Sequence, residues 1–224
     1  LEAGTVGLKP GINNAAVDHF RIRVHGKSTH VSTPHLGVDA LYIASQIVVA
    51  VQGLVTRRTS PTEPVIIGIG CLNAGTTYNA VAEHAVMEGT TRTVSQESRD
   101  RIRRLVSETA DSIAAIYGGT AEIVWTDFAA ALINDAEVCR EAAAVADSLL
   151  GEGHVVTDRE LSLSGDNFAE FELYRPGAYA YLGTGNPDKP HTVISNHNGG
   201  FDVDEDALVT GAALYAGYAL ARLG

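Results

Sequence analysis

Apolar and polar residues alternate near the start of this chain. Phe20, Ile22 and Val24 occupy every second position within residues 18–25, which is typical of a strand with one buried face. After a polar loop, residues 41–55 carry apolar side chains at three- and four-residue spacing, which predicts an amphipathic helix. The central part of the chain therefore begins with a strand that is followed by a helix.

Similar patterns continue along the chain as far as residue 127. Residues 64–72 and 84–94 are rich in apolar side chains and predict two more strands. Ser95 is placed to cap a helical pattern that ends at Ile116, just before a glycine pair. Residues 120–126 predict a last strand. The element order is β-α-β-β-α-β, which is the ferredoxin-like arrangement.

The sequences on either side of this central part predict a different architecture. Helical patterns cover residues 136–150 and 204–223, and apolar runs at 5–8 and 178–183 predict two short strands. A loop rich in Gly, Asn and His spans residues 184–200. These flanks contain too few strands for a sheet of their own. We therefore expect them to be parts of a larger α/β domain.

Three segments follow from these patterns. Residues 17–127 are predicted to form a ferredoxin-like α+β domain, which interrupts another domain in the sequence. Residues 1–16 and 128–224 are predicted to belong to that interrupted α/β domain. The fold class of the whole chain is therefore α/β, with the inserted domain as its one self-contained part.

Composition narrows the classes of function and partner. Of the 224 residues, 45% are hydrophobic and 19% charged, as in an ordinary globular protein. The net charge of −11 argues against nucleic acid and against an anionic membrane as partners, since both select clustered cations. The most apolar stretch, residues 41–55, is interrupted by Ser45 and Gln52 and falls short of the ~20 residues of a membrane span.

The cysteines indicate a compartment. Cys71 and Cys139 are far apart in the chain and form neither a Cys-x-x-Cys site nor a disulfide framework. Chains of this kind are typical of a reducing environment, so the expected location is the cytoplasm.

Five motifs, in this order along the chain, carry a resemblance to a known family. They are 26–39 (GKSTHVSTPHLGVD), 73–81 (NAGTTYNAV), 89–93 (GTTRT), 164–171 (SGDNFAEF) with 176–183 (PGAYAYLG), and 197–205 (HNGGFDVDE). Together they resemble the co-catalytic metallopeptidase family that includes carboxypeptidase G, aminoacylases, hippurate hydrolase and auxin-conjugate amidohydrolases. The amidohydrolase branch is the most similar.

The resemblance implies a zinc-binding α/β domain interrupted by a ferredoxin-like lid that also mediates dimerisation. The chain looks like this lid plus the C-terminal part of the catalytic domain. The family motifs that supply most metal ligands and the general base, His-x-Cys-Gly-His-Asp and a Glu-Glu pair, do not occur in it. We therefore expect these 224 residues alone to be metal-free and inactive.

The resemblance also implies roles for four residues. His30 is expected to reach the active site of a partner subunit and stabilise the oxyanion, although a histidine that caps its own loop fits the same position. Asn79 is expected to bind the substrate, with an Asx turn as the alternative. Arg92 is expected to grip a substrate carboxylate, with an exposed strand cation as the alternative. His197 is expected to bind metal; the alternative is a solvated loop histidine.

Two departures from the family pattern bear on these expectations. Family proteins continue the Asn79 motif with Asn-x-Ile-Pro, whereas this chain has Ala80, Val81 and Ala82 and lacks the proline. Asp166-Asn167 replaces the usual Glu-Asp pair, so neither residue is assigned a catalytic role.

The function that these motifs indicate is that of a metal-dependent amidohydrolase. It would act, as part of a longer enzyme, on N-acyl amino acids or similar carboxylate-bearing amides, as a homodimer through the lid. It would use two divalent metal ions, zinc being favoured over manganese or cobalt. The alternatives are a dipeptidase or carboxypeptidase of the same family and, in another class, a dimerisation module without catalytic activity.

Overall fold

The structure is a computed structural model that describes all 224 residues. The chain divides into two compact units. The first, which we call the lid unit, comprises residues 14–131 and 163–167. The second, the flanking unit, comprises residues 1–13, 132–162 and 168–224. The segment 163–167 lies within the C-terminal flank in sequence, but it packs with the lid unit.

The chain contains nine strands, five α-helices and two short 3-10 helices. The strands are Val6–Gly7 (β1), Gly11–Asn14 (β2), Ala16–His25 (β3), Ile66–Ala74 (β4), His84–Thr93 (β5), Thr120–Ala129 (β6), Leu132–Asn134 (β7), Val155–Val156 (β8) and Tyr181–Leu182 (β9). The α-helices are Ala40–Arg57 (α1), Gln96–Ile116 (α2), Ala136–Leu150 (α3), Ala169–Glu172 (α4) and Ala207–Leu223 (α5). The 3-10 helices are Pro34–Leu36 and Pro190–Val193.

The lid unit is a four-stranded antiparallel sheet with the strand order β4-β5-β3-β6. Helices α1 and α2 pack against each other and against one face of this sheet. Phe20, Ile22 and Val24 of β3 are fully buried beneath them, because alternate side chains of a strand point to the same face. This arrangement confirms the predicted ferredoxin-like fold. The other face, which we call the open face, carries His19, Arg21 and Arg92 among other residues.

Helix α1 is long and apolar enough to cross a bilayer by length and composition, with a mean hydropathy of 1.3 over 18 residues. The sequence analysis placed residues 41–55 short of such a span; the helix continues beyond them at both ends. Its buried side chains, which include Ile43, Ile47 and Val51, belong to the core between the helices and the sheet. Packing in the lid unit therefore accounts for the apolar side chains on the buried face of this helix.

A buried ion pair interrupts the apolar core of the lid unit. Asp18 on β3 is fully buried, and Arg99 on α2 is only 6% exposed. The Arg99 Nη2 lies 2.6 Å from the Asp18 Oδ1, and its Nε lies 3.0 Å from the Oδ2. The guanidinium thus satisfies both carboxylate oxygens. Such pairing makes a buried charge tolerable, so each side chain depends on the other.

The flanking unit corrects one expectation. The flanks do build a sheet: β1 pairs parallel to β8 and antiparallel to β9. A second, two-stranded sheet joins β2 and β7. The strands of the three-stranded sheet contain only two residues each, which is too short for a period-2 pattern to be seen. Val6, Leu8 and Ala142 form the buried centre of the core beside it.

Candidate functional site

His30 lies in the loop between β3 and α1, on a segment that pairs with the residues before β5. The Val31 N–H donates to the Asn79 carbonyl at 3.1 Å, and the Val81 N–H donates to the Thr29 carbonyl at 2.9 Å. His30 itself forms a β-bridge with Ala80. The backbone of the loop is therefore fixed by hydrogen bonds, although the His30 side chain is exposed.

The hydrogen bonds of the His30 ring determine its tautomer. The backbone N–H of Ser32 donates to the His30 Nδ1 at 3.2 Å, and the Ser32 hydroxyl lies 2.7 Å from the same nitrogen. A backbone N–H can only donate, so Nδ1 is the acceptor and the neutral ring carries its proton on Nε2. The Nε2–H has no partner within the chain. The imidazole thus presents one free donor to solvent.

Asn79 lies beside His30 on the paired segment. Its Oδ1 accepts a hydrogen bond from the Thr77 hydroxyl at 3.1 Å, and its Nδ2 donates to no other residue of the chain. The side chain is exposed. Despite the missing proline, the structure brings Asn79 and His30 together at one end of the lid unit.

Arg92 lies on the open face of β5, and its donors are largely engaged. Its Nε donates to the Leu163 carbonyl at 3.0 Å. Its Nη1 donates to the Thr90 hydroxyl at 2.5 Å and to the Thr91 carbonyl at 2.9 Å. Arg92 is therefore not an isolated strand cation. It contacts residues 163–167, which we call the strap.

The strap covers the end of the open face near Arg92. Val17 lies opposite Arg92 in the β3–β5 register and is 9% exposed. A Cβ on Gly165 would lie 2.4 Å from the Val17 Cγ2, so only glycine fits at this contact. The Asn14 Nδ2 lies 3.2 Å from the Ser164 hydroxyl oxygen. No periodic pattern links positions 71 residues apart, so the contact between the strap and Arg92 could not be predicted from the sequence.

One lid unit does not bring Arg92 to His30 and Asn79. Asn79 lies on the segment that leads into β5 at His84, and His30 is paired beside that segment. Arg92 lies near the other end of β5. Eight residues of extended strand between 84 and 92 correspond to about 26 Å at about 3.3 Å per residue. A small substrate cannot span that distance. The predicted substrate-binding residues of a single lid unit therefore form two separate groups.

His197 lies in the flanking unit, in the loop before α5. Its φ of 63° is in the left-handed region, which non-glycine residues other than Asn, Asp and His seldom occupy. A turn follows it, in which the Phe201 N–H donates to the Asn198 carbonyl at 3.0 Å. The side chain is exposed. No group of three or more His, Cys, Asp or Glu side chains in the structure could hold a metal ion.

With this geometry established, comparison with known proteins identifies one segment of the chain. Residues 16–118 match the family model described as "Peptidase dimerisation domain". These residues include most of the lid unit, together with His30, Asn79 and Arg92. This segment is a peptidase dimerisation domain. The match confirms the resemblance to the co-catalytic metallopeptidases.

The similarity extends beyond the dimerisation domain. The chain is 33% identical over 209 residues to the N-acetyl-L-cysteine deacetylase of Bacillus subtilis, covering 93% of this chain and 48% of that protein. It is 34% identical over 215 residues to thermostable carboxypeptidase 1 of Saccharolobus solfataricus, covering 96% and 53%. The chain thus spans about half the length of these curated relatives.

Solved structures show the same similarity. The crystal structure of a dinuclear metal binding peptidase of the M20 family from Bacillus subtilis superposes with a TM-score of 0.78 at 29% identity. The superposition covers 98% of this chain and 53% of that protein. Both the dimerisation domain and the flanking residues therefore have counterparts in an M20 peptidase.

Outside the dimerisation domain, Asp204 anchors the loop that carries His197. Asp204 is 3% exposed. Its carboxylate accepts hydrogen bonds from the Lys189 Nζ and the Asn186 Nδ2, each at 2.6 Å. These two donors lower the pKa of Asp204 to about 2. The Asp204 N–H also donates to the Thr184 carbonyl at 3.0 Å, so this residue joins the two ends of the loop.

This anchor predicts a pH dependence. The folded pKa of Asp204 is lowered from an unfolded value of about 3.9. Its contribution is therefore complete above about pH 4 and is lost as the pH falls towards 2. The Asn186 side-chain amide signal, followed by NMR, should titrate with a midpoint near pH 2. Lys189→Met should raise that midpoint, whereas a midpoint near 4 in the unmodified chain would contradict the assignment.

Proposed function

We propose that this chain forms the lid and the C-terminal part of a longer, metal-dependent amidohydrolase. The enzyme hydrolyses the amide bond of N-acyl amino acids or similar carboxylate-bearing amides. The observation that carries the proposal is the free Nε2–H of His30, held on an ordered loop of a peptidase dimerisation domain. The similarity to a deacetylase and a carboxypeptidase supports the same class of reaction.

The metal ions that the family implies do not fit the residues of this chain alone. A zinc site takes about four protein or solvent ligands, and the chain offers His197 without a cluster around it. In this proposal His197 is one ligand, and the others belong to the part of the longer relatives that this chain does not match. Two divalent ions, with zinc favoured, remain part of the proposal for the whole enzyme.

The chemistry of His30 follows from its tautomer. Attack on an amide carbonyl places negative charge on the carbonyl oxygen only as the tetrahedral transition state forms. An N–H that is already oriented toward that oxygen stabilises this charge at no cost of reorganisation. Ser32 fixes the His30 ring with Nε2–H outward, so the neutral imidazole is suited to donate a hydrogen bond to the oxyanion.

The separation of Arg92 from His30 supports a composite site made by two protomers. About 26 Å of β5 lies between the two groups, so one small substrate reaches both only if they come from different chains. We propose that His30 and Asn79 of one protomer act with Arg92 of its partner. In this proposal Asn79 and Arg92 contact one substrate from different protomers.

The exposed edge of the dimerisation domain supports a homodimer. β4 is an edge strand with unpaired backbone groups along one side. Exposed apolar side chains lie on β4 and on α1, and they include Ile66 at 41%, Tyr42 at 48% and Val49 at 70%. Pairing through this edge would bury them about a two-fold axis, the commonest symmetry of protein dimers.

Removing Arg92 should weaken substrate binding more than turnover. Arg92→Ala in the intact enzyme is expected to raise the KM for an N-acyl amino acid with a smaller effect on kcat. The reason is that a carboxylate is remote from the bond that breaks. Steady-state kinetics would show this change in KM. For the amide analogue of the same substrate, which lacks the carboxylate, Arg92→Ala should change the KM little. A fall in kcat at unchanged KM would contradict the role.

A substrate panel tests the reaction class. The intact enzyme, loaded with zinc, manganese or cobalt, should release amino acid from N-acetyl amino acids faster than from dipeptides. The opposite preference would favour the second candidate, a dipeptidase or carboxypeptidase, which the similarity to thermostable carboxypeptidase 1 supports. No hydrolysis of either class would leave the chain as a dimerisation module.

Both cysteines are unpaired, which is consistent with the proposed cytoplasmic location.

A further inference from the structure

The guanidinium of Arg92 has three nitrogens, and two of them are fully engaged. The single Nε–H donates to the Leu163 carbonyl. The two hydrogens of Nη1 are accounted for by the Thr90 hydroxyl and the Thr91 carbonyl. Nη2 alone has no partner within the chain.

This distribution blocks bidentate binding of a carboxylate. A carboxylate binds an arginine through two parallel N–H donors on one edge of the guanidinium, either Nε with Nη2 or Nη1 with Nη2. Each of these edges contains one nitrogen that is already occupied. In the observed arrangement Arg92 offers only the hydrogens of Nη2, so a ligand carboxylate must displace an internal acceptor before it can form the bidentate pair.

The acceptor that can leave is the Leu163 carbonyl. Thr91 belongs to the ladder of β5, and the Thr90 hydroxyl also donates to the Asp18 carbonyl at 2.7 Å, so these acceptors are fixed in the sheet. Leu163 belongs to the strap, which is outside the sheet ladders. The strap residue that follows it, Ser164, is joined to the sheet end of the unit through a side-chain contact of 3.2 Å with Asn14.

We infer that the strap is a latch on Arg92 that a ligand carboxylate opens. The Leu163 carbonyl occupies the Nε–Nη2 edge in the free protein, and the carboxylate of an N-acyl amino acid replaces it when it binds. The inference rests on the proposed role of Arg92 and deepens it. It makes the position of residues 163–167 depend on occupancy of the carboxylate site. A neutral amide does not release the strap, because it offers Arg92 only a neutral carbonyl oxygen like that of Leu163, whereas a carboxylate forms a bidentate pair in which both partners are charged.

The latch can be tested on the 224-residue chain by NMR chemical shifts. The probe is N-acetyl-L-alanine, and its C-terminal amide is the uncharged control. The Arg92 Nε–H signal is assigned by its loss in Arg92→Gln. Saturating N-acetyl-L-alanine should shift this signal and the backbone amide signals of residues 163–167, because the Leu163 carbonyl leaves the guanidinium.

Two variants complete the test. Arg92→Gln should shift the amide signals of the strap without any ligand, with no further response to N-acetyl-L-alanine. Arg23→Gln removes an exposed arginine of the same open face and should leave the strap signals unshifted without ligand and responsive to N-acetyl-L-alanine. The amide control should shift neither signal.

The outcomes separate the latch from the role of Arg92. A shifted Nε–H signal with an unchanged strap would overturn the latch and keep the carboxylate grip. Unchanged Nε–H and strap signals at millimolar ligand would overturn both. A strap that responds equally in Arg92→Gln would also overturn the latch, because the carboxylate would then act elsewhere.

Discussion

Replacement of His30 by alanine is expected to lower the turnover of the intact enzyme by about 100- to 1,000-fold, the usual cost of losing one oxyanion donor. The substituted side chain is exposed and its ring bonds only to Ser32, so the fold and the KM should change little. The measurement is steady-state hydrolysis of an N-acyl amino acid, with circular dichroism to verify the fold.

A neighbouring histidine provides the matched control. His35 lies five residues further along the same loop and is also exposed, but no expected function falls on it. His35→Ala should retain turnover within about twofold. Ser32→Ala should fall between these variants, because it retains the backbone donor to Nδ1 and loses only the hydroxyl. Equal losses in His30→Ala and His35→Ala would show that the loop, rather than the imidazole, is required.

Breaking the buried ion pair is expected to destabilise the dimerisation domain by about 3–5 kcal/mol. Arg99→Met leaves the Asp18 carboxylate without its bidentate partner in a site where it is fully buried. The Arg103 Nη1 remains 3.8 Å from the Asp18 Oδ1, which is beyond hydrogen-bond distance, so it does not replace the hydrogen bonds lost by a carboxylate that little solvent reaches. Urea unfolding of the 224-residue chain, followed by the fluorescence of Trp125, measures the change.

A second ion pair, between an arginine of the same helix and a residue outside it, provides the comparison. Arg101 lies 2.6 Å from Glu63, but their side chains are 30% and 22% exposed. Arg101→Met should therefore cost at most about 1 kcal/mol. The double variant Asp18→Leu/Arg99→Met removes both buried charges and should recover much of the stability lost in the single variant. Equal effects of Arg99→Met and Arg101→Met would contradict the dependence on burial.

The lid was predictable from sequence because its elements are long. The ten-residue strand β3 shows a full period-2 pattern, and α2 has both a serine cap and an apolar face. The Ser95 hydroxyl does accept the Ser98 N–H, at 3.1 Å. The helices of the flanks have similar signals, but their strands do not. Strands β1 and β8 have two residues each, so their pairing depends on tertiary contacts that no local pattern records.

The sequence motifs name candidate site residues, but they do not show how the fold groups them. The motifs identify His30 and Arg92 separately, but sequence alone does not show that β5 places them at opposite ends. Nor does it show that the Leu163 carbonyl engages the Arg92 Nε. Both facts are long-range geometry, set by strand register and by a strap that follows Arg92 by about 70 positions.

The composite site across two protomers is tested most directly by hybrid dimers. His30→Ala and His197→Ala proteins, each inactive as homodimers, would be mixed, exchanged and purified as heterodimers carrying two different affinity tags. If His30 acts on the site of its partner, one of the two sites in each hybrid contains both histidines. The hybrid should then recover about half of the wild-type turnover per dimer. A verified hybrid that remains as inactive as its parents would show that His30 acts within its own chain.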